Sequence, residues 1–168
     1  MELSDRHRRF LLIEQIAVPT VINLVINGLI AWAVFRSAAA IPLWGESSVG
    51  IDLLVTGFLL PFLTCVIISS GVVRQVRSGK VPPLPSSQFP LSRWFERSSS
   101  MRGLLLGAAG VLLGAAPIVW ALSIGKAQPF PVPSFVVFKA VWAGMLALAV
   151  TPFIGWWALA SASRAQAA

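Results

Sequence analysis

The chain has 168 residues, 57% of them hydrophobic, with a mean hydropathy of +0.81. Only 11% are charged, against about 25% in typical soluble domains, which argues against a water-soluble globule. The formal net charge is +7, but the basic residues sit between apolar stretches, where they act as topology signals and not as a nucleic-acid surface.

Four apolar stretches cover residues 10–35, 51–73, 103–124 and 136–160. Each reaches the length of about 20 residues that a helix needs to cross the hydrocarbon core of a bilayer. The expected fold is therefore an all-α integral membrane protein, a bundle of four transmembrane helices forming one domain over 1–168. Each span holds one proline: Pro19, Pro61, Pro117 and Pro152. Proline removes a backbone donor and bends a helix. Thr20, Thr64 and Thr151 lie close to three of them and are candidates to satisfy the freed carbonyls.

The first span follows Arg6-His7-Arg8-Arg9, as a signal peptide would. Its apolar run is about twice the length of a signal's core, so it reads as an uncleaved helix. Thr20, Asn23 and Asn27 are spaced by three and four residues and share one face. Lipid cannot satisfy asparagine amides, so this face must meet another helix, water or a solute. Bonding to another span, for example to Thr56 or Thr64, is the expectation. Glu14 lies one turn inside this span, where a carboxylate suits the helix dipole and can pair with Arg102 at the mouth of the third span.

The second span opens on Asp52 and contains the only cysteine, Cys65, which in apolar surroundings is a packing residue. The loop that follows, residues 74–102, is basic and rich in proline and serine. Its Val81-Pro82-Pro83-Leu84-Pro85 run should be extended, and residues 91–97 suit a short helix lying on the membrane surface.

In the third span Gly103, Gly107, Gly110 and Gly114 fall on one face. The fourth carries a similar line: Ala140, Gly144, Ala147, Thr151, Ala158 and Ala162, with Gly155 at its border. Small residues let helices approach closely in lipid, so the two lines are expected to face each other in a tight hairpin. Lys139, early in the fourth span, is placed to pair with Asp52 or to snorkel to the headgroups. The outer loops, Ile41-Pro42-Leu43-Trp44-Gly45 and Pro129-Phe130-Pro131-Val132-Pro133, should lie against the interface.

Most basic residues fall in the N-terminal tail and the 74–102 loop. The positive-inside rule then places both termini in the cytoplasm, and the protein in a bacterial cytoplasmic (inner) membrane. Trp32, Trp44, Trp120 and Trp142 form the outer belt, and Trp94, Trp156 and Trp157 the inner one.

No histidine lies in any span and no second carboxylate neighbours Glu14, so no catalytic constellation, metal site or cofactor motif is visible. The expected function is a non-catalytic accessory or interaction subunit of a membrane assembly. Its partners would be the lipid bilayer and a membrane protein or a second copy of itself, with no nucleic acid. An alternative is a small, oligomeric, permease-like transporter with a polar path at Thr20, Asn23 and Asn27. A membrane-embedded enzyme acting on lipid is the third.

Overall fold

The computed structural model describes residues 10–84, 98–125 and 129–167. Four helical rods occupy the four apolar stretches, and each is long and apolar enough to cross a membrane. The first begins as π-helical turns over Phe10–Ala17 and continues as α1, Val18–Phe35. The second is α2, Val49–Arg77. The third comprises α3 (Ser99–Ala109), a π-helical stretch (Gly110–Ala115) and α4 (Ala116–Ile124). The fourth, α5, runs over Val132–Ala167. At 36 residues α5 is about 54 Å long, well beyond the roughly 30 Å of a hydrocarbon core.

The prolines are accommodated in two ways. Pro19 and Pro117 each stand at the second residue after a π-helical stretch, where the wider turn shifts the carbonyl register ahead of the ring. Pro61 and Pro152 lie inside continuous α-helix. Threonine does not serve as expected at Pro19 or Pro152: the Thr20 and Thr151 hydroxyls are buried without a hydrogen-bond partner. At Pro61 a neighbouring backbone takes that role. Pro61 lacks the N–H that would bond the Gly57 carbonyl, and Gly110 of the third rod lies against that oxygen, where a Cβ would otherwise stand. A Cα–H group meets the orphaned acceptor there.

The bundle is an open row. The first rod packs on the fourth, the fourth on the second, and the second on the third, while the backbones of the first and second stay apart, as do those of the third and fourth, which meet through side chains such as Arg102 and Val119. The expected hairpin of the third and fourth spans is therefore not what forms. The glycine line of the third span turns to the second: Gly103 meets Phe62, Gly107 meets Phe58, and Gly110 meets Gly57 and Pro61. The Phe58 and Phe62 rings stack 6.0 Å apart and fill the holes those glycines leave. Only Gly114 looks toward the fourth rod, where a Cβ would lie 3.6 Å from Leu146.

The small residues of α5 serve two neighbours. Ala140, Gly144 and Gly155 receive Gly28, Leu24 and Gln15 of the first rod. Ala143 and Ala147, fully buried, pack with Leu60 of the second. The physical reason is that a helix lined with small residues on two faces admits two backbones at once, which makes α5 the hub.

Each end of the row is closed by loop. At the end bearing the first and third loops, Ile41 and Phe130 exchange two backbone hydrogen bonds of 2.9 Å each, the one isolated bridge among the described residues. The Pro42 and Leu43 carbonyls accept from the first free amides of α2, at Val49 and Gly50. Ile41 and Leu43 are fully buried with Ala31, Phe35, Val49 and Phe135, and the Phe35 and Phe135 rings meet edge to face at 5.3 Å. These loops therefore send Ile41 and Leu43 inward to form a core, while Trp44 stays exposed. Trp142 joins that core, 7% exposed, while Trp32, Trp44 and Trp120 stay exposed as expected for a belt.

At the opposite end the chain leaves α2 through Gly79, whose φ of 73° favours glycine. It doubles back so that Val81 and Leu84 pack on Ala158, Leu159 and Ala162 of α5. The Leu84 amide donates to Ser163 Oγ at 2.9 Å, and Gln166 Nε2 donates to the Val76 carbonyl at 3.2 Å. Ser163→Ala should strand the buried Leu84 N–H at a cost of about 1–3 kcal/mol. Amide hydrogen exchange at Leu84 checks this; an unchanged rate would show that the loop does not rest on α5. The surface helix expected over 91–97, with Trp94, lies outside the described residues.

Candidate functional site

The row leaves a gap between the first and second rods, because α5 holds them apart. A groove of about 530 Å³ occupies that gap. Ile22, Ile26 and Ile30 form one wall, spaced by one helical turn. Val55, Leu59, Leu63 and Ile67 form the other. These wall residues are all 43% exposed or more, so the groove is open along its side. From Asp52 to Ile68 it follows α2 for about 24 Å, most of a hydrocarbon core.

Polar groups stud this apolar trough. Asn23, Asn27, Thr56 and Thr64 line it, with Asp52 and Lys139 at the loop-paired end. The structure thus brings two of the three residues of the expected polar face to one cavity. Thr20, the third, does not line it. The amides do not bond to another span as expected. Asn23 Nδ2 donates to the Pro19 carbonyl and Asn27 Nδ2 to the Asn23 carbonyl, both at 2.9 Å within α1. The reason is distance: with the second rod held away, a carbonyl one turn back is the nearest acceptor.

Lys139 Nζ donates to Asp52 Oδ1 at 2.5 Å, with the two side chains 2% and 16% exposed. Asp52 sits in the first turn of α2, where the positive end of the helix dipole favours a carboxylate. The lysine stem is packed inside the helix row and does not snorkel outward. Asp52 Oδ2 is buried and makes no hydrogen bond. The pair joins the second and fourth rods and leaves one acceptor unfilled beside the groove.

The other expected pair involves Glu14, whose side chain lies outside what the structure describes. Arg102 is 6% exposed and reaches α5, donating from Nη1 to Ser161 Oγ at 2.9 Å and to the Trp157 carbonyl at 3.4 Å. Cys65 is buried and its thiol donates to the Ser99 carbonyl at 3.5 Å, a packing contact between the second and third rods. Among the described residues no three His, Cys, Asp or Glu side chains gather as metal ligands.

The aliphatic walls of the groove were not singled out from sequence, although Ile22, Ile26 and Ile30 repeat every four residues beside Asn23 and Asn27. That repeat is the signal that marks one face of α1 as distinct. Ser161 and Ser163 were also passed over; two serines in an alanine-rich helix end are the hint that polar contacts are needed there. The chain matches no protein-family model, and no curated protein or solved structure shows significant similarity to it.

Proposed function

We propose that this protein is a non-catalytic accessory subunit of a membrane assembly, and that the groove between its first and second spans receives a transmembrane helix of a partner protein. The observation that carries this is the open trough, running most of the length of a hydrocarbon core, with polar groups along an apolar wall. Acyl chains fill apolar space but offer no donors to Asp52 Oδ2 or to the asparagine oxygens. A helix with apolar knobs and one or two polar side chains offers both. The first span supports this by being the least enclosed: 17% of its most apolar window is buried, against 39% for the fourth. A conduit for polar solute would need walls closed against lipid, which the exposed isoleucines do not provide. The protein would sit in a bacterial cytoplasmic membrane with both termini inside, following its basic residues.

Photo-crosslinking side chains introduced at Ile26 and Leu59, inside the groove, test this against one at Leu113, which is 80% exposed on another face. Discrete adducts to a membrane-spanning segment of a second protein are expected from the first two and not from the third. Ile26→Trp, which fills the trough, should abolish the Leu59 adduct. Adducts only to lipid, or the same pattern from Leu113, would sink the proposal. Adducts only to a second copy of this chain would replace the accessory role with self-association.

A further inference from the structure

We propose that Arg102 and the cavity beside it form a binding site for a phosphate anion, carried by a phospholipid headgroup or free in solution. Arg102 as a whole residue is 6% exposed, yet only one edge of its guanidinium is used. Its two hydrogen bonds come from Nη1, to Ser161 Oγ and to the Trp157 carbonyl, and they fix the plane of the group against α5. Nε is buried with no hydrogen-bond partner. The side-on edge made by Nε and Nη2 therefore has no bond among the described residues. That edge is the fork that takes two oxygens of a phosphate or carboxylate.

A buried cation also requires a counter-charge, because desolvation penalises the isolated ion. Among the described residues the one ion pair is Lys139 with Asp52, at the far end of the row. A cavity of about 190 Å³ lies against Arg102, several times the roughly 30 Å³ that one water takes up in the liquid. Among the described residues its other walls are Leu105, Leu106 and Trp157, none of them acidic. A cation enclosed by leucine and tryptophan suits an anion attached to something apolar, which favours the lipid-borne phosphate. Arg74, Arg77 and Arg164 lie at the same end of the helices. This inference rests on the proposed orientation, which puts that end at the inner leaflet, where anionic lipids draw basic segments.

The test uses the purified full-length protein in mild detergent, titrated with phosphatidylglycerol or with phosphatidylcholine of the same acyl chains, and read by native mass spectrometry. Wild type should retain one phosphatidylglycerol at least about tenfold more strongly than phosphatidylcholine. Arg102→Gln should bring the two to equality. Because Arg102 is buried and its loss risks the fold, Leu105→Trp provides a second route. Leu105 is 39% exposed, so the indole fills the cavity without removing the arginine. It should abolish the preference while leaving helicity and thermal unfolding unchanged. Competition by millimolar inorganic phosphate would assign the site to the free ion, and its failure to compete would assign it to the lipid. Two results would overturn the proposal. One is equal retention of both lipids by wild type with no effect of inorganic phosphate. The other is a loss of thermal stability in Glu14→Gln equal to that of Arg102→Gln and no greater in the double variant, which would show a carboxylate already in the fork. Crosslinking in the groove reads out the accessory role separately, so either proposal can fail alone.

Discussion

Gly110→Leu is expected to pull the second and third spans apart with a large loss of stability. A Cβ at this position would overlap the Gly57 carbonyl oxygen, and it would stand 3.0 Å from Pro61 Cγ. The obstacle is backbone, held in a helix, so no rotamer change can relieve it. Overpacking a core costs about 1–3 kcal/mol when side chains can adjust, and this variant should lie at or above the top of that range. Gly110→Ala should already show a substantial part of the effect, because the first carbon beyond Cα makes the clash. It would also displace the Cα–H group from the carbonyl that Pro61 leaves without a donor. Gly71 supplies the control. It is also helical, but nothing lies within 4 Å of its Cβ position. Gly71→Ala should be neutral or stabilising by up to about 1 kcal/mol, since only helix propensity changes. Unfolding in mixed micelles, followed by tryptophan fluorescence, measures all three. Unchanged stability of the leucine variant would mean that the glycine line faces lipid and that the second and third spans are not neighbours.

The second large effect is expected at Lys139. Lys139→Met removes one partner of the enclosed pair and leaves Asp52 with both oxygens unmatched. Breaking a buried ion pair on one side costs about 3–5 kcal/mol. Asp52→Asn combined with Lys139→Met removes both charges and should recover most of that loss, since an enclosed pair adds little over well-packed neutral residues. The cycle separates a pair that merely neutralises itself from one that holds the second and fourth spans together. Additive losses in the double variant would show that the two residues act independently, contrary to the 2.5 Å contact between them.

The arginine and glycine observations share a cause. In apolar surroundings every unpaired polar atom must find company nearby, and helices close in only where side chains are small. The Gly57 carbonyl finds a glycine. The asparagine amides find carbonyls one turn back in their own helix. Leu84 finds a serine on α5. Asp52 Oδ2 and Arg102 Nε, like the Thr20 and Thr151 hydroxyls, find no partner among the described residues, but these two belong to charged groups and lie at opposite ends of the helices. One borders the groove assigned to a partner helix and the other borders the cavity assigned to a phosphate.

The number of helices and their approximate limits were determined by the sequence itself, because apolar length is a local property that needs no partner. The 36-residue α5 runs past the expected limit of 160 because Ala162 and Ser163 pack on the returning loop, and the Leu84–Ser163 hydrogen bond joins residues 79 apart, which no local pattern reveals. The closeness of Asp52 and Lys139 was within reach of sequence, since both begin spans at the same end. Which rods touch was decided only by the tertiary structure. A glycine line states that some backbone will approach, but Gly107 and Gly110 do not encode whether that backbone belongs to the second span or the fourth. The shape of the facing surface settles it: Phe58, Phe62 and the carbonyl freed by Pro61 fit those glycines. The groove follows from that choice, as the space left between the first and second rods once α5 has packed against both.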